Sequence, residues 1–150
     1  MAYSELFYEE PPMSIFNVEG AKDVAIEMHS LSKTYSMTGW RIGFAVGNPS
    51  IIEGLGKIKT NVDSGIFQAI QEAGISALSS DQSCVEEYRK IYKERRDFVV
   101  SEFLKMGYDV FYPKATFYVW IKTPDNIDSR TLLSHYHWSK LCRHRPILPP

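Results

Sequence analysis

The chain has 150 residues, 44% of them hydrophobic and 23% charged, a globular balance long enough to bury a core. Its net charge of −1 excludes a dominant electrostatic pull toward nucleic acid or an anionic membrane. Two cysteines, Cys84 and Cys142, exclude a disulfide framework and make reducing cytoplasm the expected compartment.

Taken in chain order, residues 23–28 combine β-branched residues with a short apolar core and read as a strand. Residues 40–46 read as a second strand, apolar enough to be buried on both faces. That apolar run falls far short of the roughly 18 residues needed to cross a bilayer, and no basic-then-apolar leader is read at Met1. Between the strands, a polar loop carries Lys33. Pro49 and Ser50, followed by Ile51, Ile52, Leu55 and Ile58, predict a capped amphipathic helix, and residues 65–78 a second one. Residues 47–49 and 61–64 read as turns.

From Asp81, the positions Val85, Tyr88, Ile91, Tyr92, Phe98, Val99, Phe103 and Met106 form an apolar stripe along a long helix. Gly107 should close it in a left-handed cap. The opposite, solvated face is expected to hold Glu86, Glu87, Arg89, Lys90, Lys93 and Glu94. Residues 108–112 and 116–121 then read as strands joined through Pro113 and Lys114. Residues 130–150 change character, with His135, His137, His144, Cys142, four basic residues and no acids. They show no clean helix or strand period.

The segment that carries chemistry is Ser30-Leu31-Ser32-Lys33-Thr34-Tyr35-Ser36-Met37-Thr38-Gly39-Trp40-Arg41-Ile42-Gly43. It places one lysine among hydroxyls, with an arginine eight residues on. A lysine amine that loses its proton can attack a carbonyl cofactor, and a phosphate-bearing carbonyl also needs a fixed cation and hydroxyl donors. Outside such a setting, Lys33 would be an ordinary loop lysine, Ser30 a loop cap and Arg41 half of a surface ion pair.

Ser-x-Ser-Lys followed by Thr-Gly-Trp-Arg-Ile-Gly resembles the pyridoxal-phosphate lysine region of class I/II (fold type I) aminotransferases. Residues 20–78 resemble in particular the bacterial LL-diaminopimelate branch of that family. The resemblance runs from about Ala2 to Thr123. It implies an α/β fold: part of the fold type I large domain, a mostly parallel sheet with helices, plus the start of a smaller α+β C-terminal domain. The implied division is residues 1–80 for the second half of the cofactor-binding large domain, 81–107 for a connecting helix and 108–129 for the start of the small domain. Residues 130–150 are left as an atypical tail, for which a shifted reading frame or disorder would account.

The same resemblance implies roles. Lys33 would carry pyridoxal 5'-phosphate and act as catalytic base and acid, while Ser30 and Arg41, with Ser32 as a weaker candidate, would clamp the phosphate. Tyr3, in Ala2-Tyr3-Ser4, matches a strand end whose phenol bonds the cofactor ring oxygen; an aromatic merely packed at a strand end is the alternative. Asn61 matches a substrate-facing loop, although an ordinary turn asparagine is the favoured reading of its surroundings. The aspartate that pairs with the ring nitrogen would fall three residues before Tyr3, and the arginine that clamps the substrate carboxylate has no match after Asp128.

Expected partners are therefore an amino acid and a 2-oxo acid, with a homodimer as the assembly and no nucleic acid or membrane. Transamination is the expected reaction, weak or absent in these residues alone. A lyase of the same fold and a noncatalytic remnant or dimerisation module are the alternatives. Gly54-Leu55-Gly56-Lys57 is not a phosphate loop, because Ile51 and Ile58 stand where glycine and a hydroxyl residue are required. His135, His137, Cys142 and His144 lack the paired spacing of a zinc site, so no metal is expected.

Overall fold

The computed structural model describes residues 1–124 and 127–135. These form two compact units, one of residues 1–96 with 113–118, the other of residues 97–112 with the described residues of 119–135.

In the first unit a short helix α1 (Ala21–Val24) leads into strand β1 (Ile26–Ser30). β1 pairs antiparallel with β2 (Gly43–Gly47), in a register running from Ile26 opposite Gly47 to Ser30 opposite Gly43. The first strand thus lies later than residues 23–28, because Ala21–Val24 close a helical turn with Ala25 N–H bonded to Ala21 O at 2.9 Å. β2 also starts later than expected, and Phe44 and Val46 are 38% and 40% exposed rather than buried on both faces. Among the described residues this sheet has two strands, β1 and β2. The segment after β1 is not an irregular loop but a helical turn, α2 (Leu31–Thr34).

Helix α3 (Pro49–Val62) is capped by Asn48, whose Oδ1 accepts from Ile51 N–H at 3.0 Å, with Pro49 at its first position. It runs through Asn61, so the turn expected over residues 61–64 begins only at Asp63. α4 (Gln68–Ser79) follows the left-handed Gly65. The long helix is α5 (Ser83–Lys105).

Within the first unit α5 buries Val85 and, unexpectedly, Arg96, which is 5% exposed. Arg96 Nη1 donates to Pro113 O at 2.9 Å, and its guanidinium lies 4.4 Å from the centre of the Tyr8 ring. Arg89 does not sit on the solvated face either. It stacks 3.9 Å from the centre of the Phe7 ring and bonds Glu5 and Glu86 at 3.2 and 2.6 Å. Both arginines are drawn inward by residues 5–8, which fold back across α5 and pair with residues 114–116. The links are Tyr8 N–H to Lys114 O at 2.9 Å, Thr116 N–H to Leu6 O at 2.7 Å, and a bridge between Phe7 and Ala115.

The second unit begins with the last turns of α5, where Val100 is 2% exposed while Phe98 and Met106 are open to solvent. Gly107 closes the helix as expected. Its φ is +83°, its N–H bonds Leu104 O at 3.0 Å, and Tyr108 N–H bonds Phe103 O at 3.1 Å. The Phe103 and Tyr108 rings meet edge-on at 5.7 Å, supplying the apolar contact that accompanies such a cap. The strands expected over residues 108–112 and 116–121 shorten to β3 (Val110–Phe111) and β4 (Trp120–Ile121), paired antiparallel. Helix α6 (Ser129–His135) follows, where no period was legible in the sequence. Asp128 caps it, accepting from Thr131 N–H at 3.1 Å. His137, Cys142 and His144 lie outside the described residues.

Glu27, 8% exposed, ties the N-terminal segment to β1: its carboxylate accepts from Ser14 Oγ at 2.8 Å and Ile15 N–H at 2.9 Å, and pairs with His29 Nε2 at 2.7 Å. Burial opposes ionisation of this carboxyl, yet the Ile15, Ser14 and His29 contacts together outweigh it and hold its pKa below the ordinary range. A carboxyl whose pKa is lower folded than unfolded adds stability above its unfolded value, and that stability is lost as pH falls through the folded one. Urea midpoints measured between neutral pH and acid should therefore drop through the acid range in the wild type and drop less in Glu27→Gln.

Candidate active site

The β1–β2 register carries part of the site. Ser30 ends β1 opposite Gly43, and Leu31 N–H bonds Ile42 O at 3.2 Å, so Arg41 leaves the sheet beside the turn that holds Lys33. Ser30 Oγ accepts from Ser32 N–H at 3.2 Å and caps α2, which presents Ser32, 8% exposed, and the half-buried Lys33. Arg41 lies at the end of a single helical turn over Thr38–Trp40 rather than inside the strand. Its Nη1 donates to Thr38 O at 3.1 Å, and Thr38 Oγ1 in turn donates to Ser32 O at 3.0 Å. This chain of bonds ties the arginine to the lysine turn.

Arg41 adopts φ +54°, in the left-handed region that a side chain of its size rarely occupies. Such a conformation costs about 1–3 kcal/mol and persists where surrounding contacts fix it, as they do at binding sites.

Tyr3 reaches the same neighbourhood from the other end of the chain. It stands in a turn rather than at a strand end. The pairing of residues 6–8 with 114–116 places it edge-on to Phe117 at 5.6 Å and to Tyr118 at 5.8 Å. Lys33 Nζ lies 5.2 Å from the centre of the Phe117 ring, so Lys33 and Tyr3 meet about one aromatic side chain. The Tyr3 and Tyr118 hydroxyls are 2.9 Å apart. That hydrogen bond, then burial, then the charge of the neighbouring phenol hold the Tyr3 pKa above its ordinary value.

Asn61 is not joined to this group. It sits near the end of α3, where Nδ2 donates to Lys57 O at 2.7 Å. A cavity of about 420 Å³, lined in part by His29, Phe44, Tyr35 and Arg89, touches the site only at Ser30. Phe117, Tyr118 and Thr38 were not singled out from the sequence. The first two acquire their place through contacts 115 residues apart in sequence, as between Tyr3 and Tyr118, and no local pattern announces that.

The donor set can be set against the group it would have to hold. Among the described residues the Lys33 ammonium has no hydrogen bond or ion pair, the Ser30 hydroxyl proton is uncommitted, and Arg41 uses one nitrogen on Thr38 O. An amine, a hydroxyl and a guanidinium, all with donors to spare, match what a phosphate-bearing aldehyde requires.

Residues 1–144 match the family model for aminotransferase class I and II, and the chain belongs to that family, whose members use pyridoxal 5'-phosphate. The match extends beyond Thr123, where the sequence resemblance was read as ending, and takes in α6. An LL-diaminopimelate aminotransferase of Maridesulfovibrio salexigens is 58% identical over 135 residues, covering 89% of this chain and 35% of that protein. Its counterpart in Aquifex aeolicus is 54% identical over 129 residues, covering 85% and 33%. Among solved structures, an aminotransferase from Staphylococcus aureus superposes with a TM-score of 0.83 at 39% identity, covering 89% of this chain and 36% of the other. An aspartate aminotransferase mutant of Thermus thermophilus, complexed with tryptophan, gives 0.76 at 27% identity, covering 81% and 32%. The chain thus spans about a third of the length of the curated relatives it matches.

Gly43 makes the pairing at Ser30 possible, since a Cβ there would stand 2.5 Å from the backbone oxygen of His29. Gly43→Ala should therefore force the two strands apart beside the lysine turn and lower the urea-unfolding free energy by about 1–3 kcal/mol. Gly39→Ala, with nothing within 4 Å of its added carbon, should stay within about 0.5 kcal/mol of the wild type.

Proposed function

We propose that this chain supplies the cofactor-anchoring part of a pyridoxal-phosphate aminotransferase acting on LL-diaminopimelate or a related amino acid, with a 2-oxo acid as acceptor. The observation that carries the reading is the meeting of Lys33 and Tyr3 about Phe117, with Ser30 and Arg41 held beside the same turn. The choice of substrate rests on the names of the relatives.

In this reading Lys33 Nζ would hold the cofactor, and the same amine would take and return the proton that moves during transfer. Arg41 and the Ser30 hydroxyl hold the phosphate, with Ser32 fixing the turn between them. Tyr3 would donate its phenolic proton to the ring oxygen. When bound, the cofactor supplies an electron sink that its own ring chemistry provides. Asn61, which the resemblance gives to the substrate, is assigned no part in this group, since it stands on α3 with Nδ2 donating to Lys57 O. We further assign the intact assembly as a cytoplasmic homodimer. The 150 residues alone would anchor the cofactor and turn over weakly or not at all, since they match about a third of each relative. No helix among the described residues is long and apolar enough to cross a membrane.

Incubating the chain with pyridoxal phosphate, reducing with borohydride and mapping the label by mass spectrometry should mark Lys33, and Lys33→Ala should abolish that label. Arg41→Ala should weaken loading by about ten- to a hundredfold, the effect of losing a hydrogen bond to a charged group. Label scattered over exposed lysines such as Lys57, unchanged in Lys33→Ala, would overturn the assignment.

A further inference from the structure

Tyr118 has a place in the site that its sequence position does not announce. It follows Thr116, a β-branched residue held at φ +64°, and Phe117, the ring shared by Lys33 and Tyr3. Three contacts fix that backbone: Thr116 N–H to Leu6 O at 2.7 Å, the Tyr8 hydroxyl to Thr116 O at 2.5 Å, and Tyr118 N–H to Thr116 Oγ1 at 3.3 Å. A left-handed threonine is uncommon enough to ask what it positions. Here it turns the chain so that the hydroxyl of the following tyrosine but one meets Tyr3 at 2.9 Å.

Proton accounting gives that contact a purpose. A phenol carries one proton and can also accept, so a pair of phenols has two protons and either oxygen can donate to the other. When nothing else engages Tyr3, its proton can rest on Tyr118. When an anionic oxygen lies beside Tyr3, the Tyr3 proton can turn to it while Tyr118 donates in its place. Neither arrangement leaves the Tyr3 oxygen without a partner.

We propose that Tyr118 is a positioning residue for Tyr3, holding the phenol on Phe117 and exchanging hydrogen-bond direction with it, so that Tyr3 can give its proton to an anionic ligand oxygen. The proposal rests on the assignment of Tyr3 as a cofactor contact, and the raised Tyr3 pKa is consistent with Tyr118 accepting from it in the ligand-free chain.

The test uses the full chain with tyrosine labelled at the ring carbon that bears oxygen, the Tyr3 resonance being assigned by its loss in Tyr3→Phe. Tyr118→Phe keeps the ring and removes only the hydroxyl, and circular dichroism reports whether it folds. The Tyr3 titration midpoint should fall toward the ordinary phenol value in Tyr118→Phe; an unmoved midpoint would overturn the proposal. This readout needs no cofactor, so it stands even if Lys33 proves not to be labelled.

With pyridoxal phosphate added, Tyr118→Phe should weaken loading by about two- to tenfold. The same substitution made in Tyr3→Phe should have little further effect. Equal losses in both backgrounds would mean that Tyr118 acts on the fold alone, and would also overturn the proposal. Should Tyr118→Phe fail to fold, Tyr118→His, which retains a group able to accept and donate, should keep the Tyr3 midpoint above that of free tyrosine, and a midpoint at the free value would sink the idea.

Discussion

The pairing of residues 6–8 with residues 114–116 is the contact on which this site depends. Without it Tyr3 has no reason to lie against Phe117, and Lys33 faces an aromatic ring with no phenol beside it. The pairing is held by backbone hydrogen bonds and flanked by two guanidinium groups of α5, Arg89 against Phe7 and Arg96 against Tyr8. A guanidinium is suited to this work because it lies flat on an aromatic face while its edge still donates to a carbonyl, as Arg96 does to Pro113. The long helix therefore does more than connect: within the first unit it is the surface against which two distant segments are aligned.

The site has two halves with different origins. Ser30, Ser32, Lys33 and Arg41 belong to one strand, turn and strand, where antiparallel register decides what faces what. A residue slipped by one position would turn to the other face of the sheet, so the close approach at Gly43 fixes which residues flank the lysine turn. Tyr3, Phe117 and Tyr118 come from the two ends of the first unit and are assembled by tertiary contact. Their mutual orientation depends on the left-handed backbone at Thr116.

This division explains what could be read from the sequence. The lysine segment, the helix begun by Pro49 and the cap at Gly107 were legible, since each depends on residues within a turn or two of one another. The inward-facing Arg89 and Arg96 were not, because charged residues on a long helix ordinarily face water and only the returning N-terminal segment reverses that. Phe117 and Tyr118 looked like ordinary strand aromatics. The apolar run at Phe44 and Val46 suggests burial on both faces of a sheet, but which elements cover those faces is a tertiary matter, and both side chains are more than a third exposed. The helix at Ser129–His135 escaped notice because its start is set by Asp128, which lies before the segment whose composition drew attention.

The bond between Tyr8 and Thr116 joins residues 108 apart in sequence, and this bears on the order in which the protein takes shape. Local elements such as α3 and the β1–β2 hairpin close short loops and can form early, while contacts of high sequence separation wait until their entropy cost is met by other structure. During synthesis the tyrosine half of the site has no partner until residues 114–118 have left the ribosome. The lysine turn is thus complete well before the aromatic wall that faces it, and for that interval Lys33 is a solvent-facing amine on a partly folded chain.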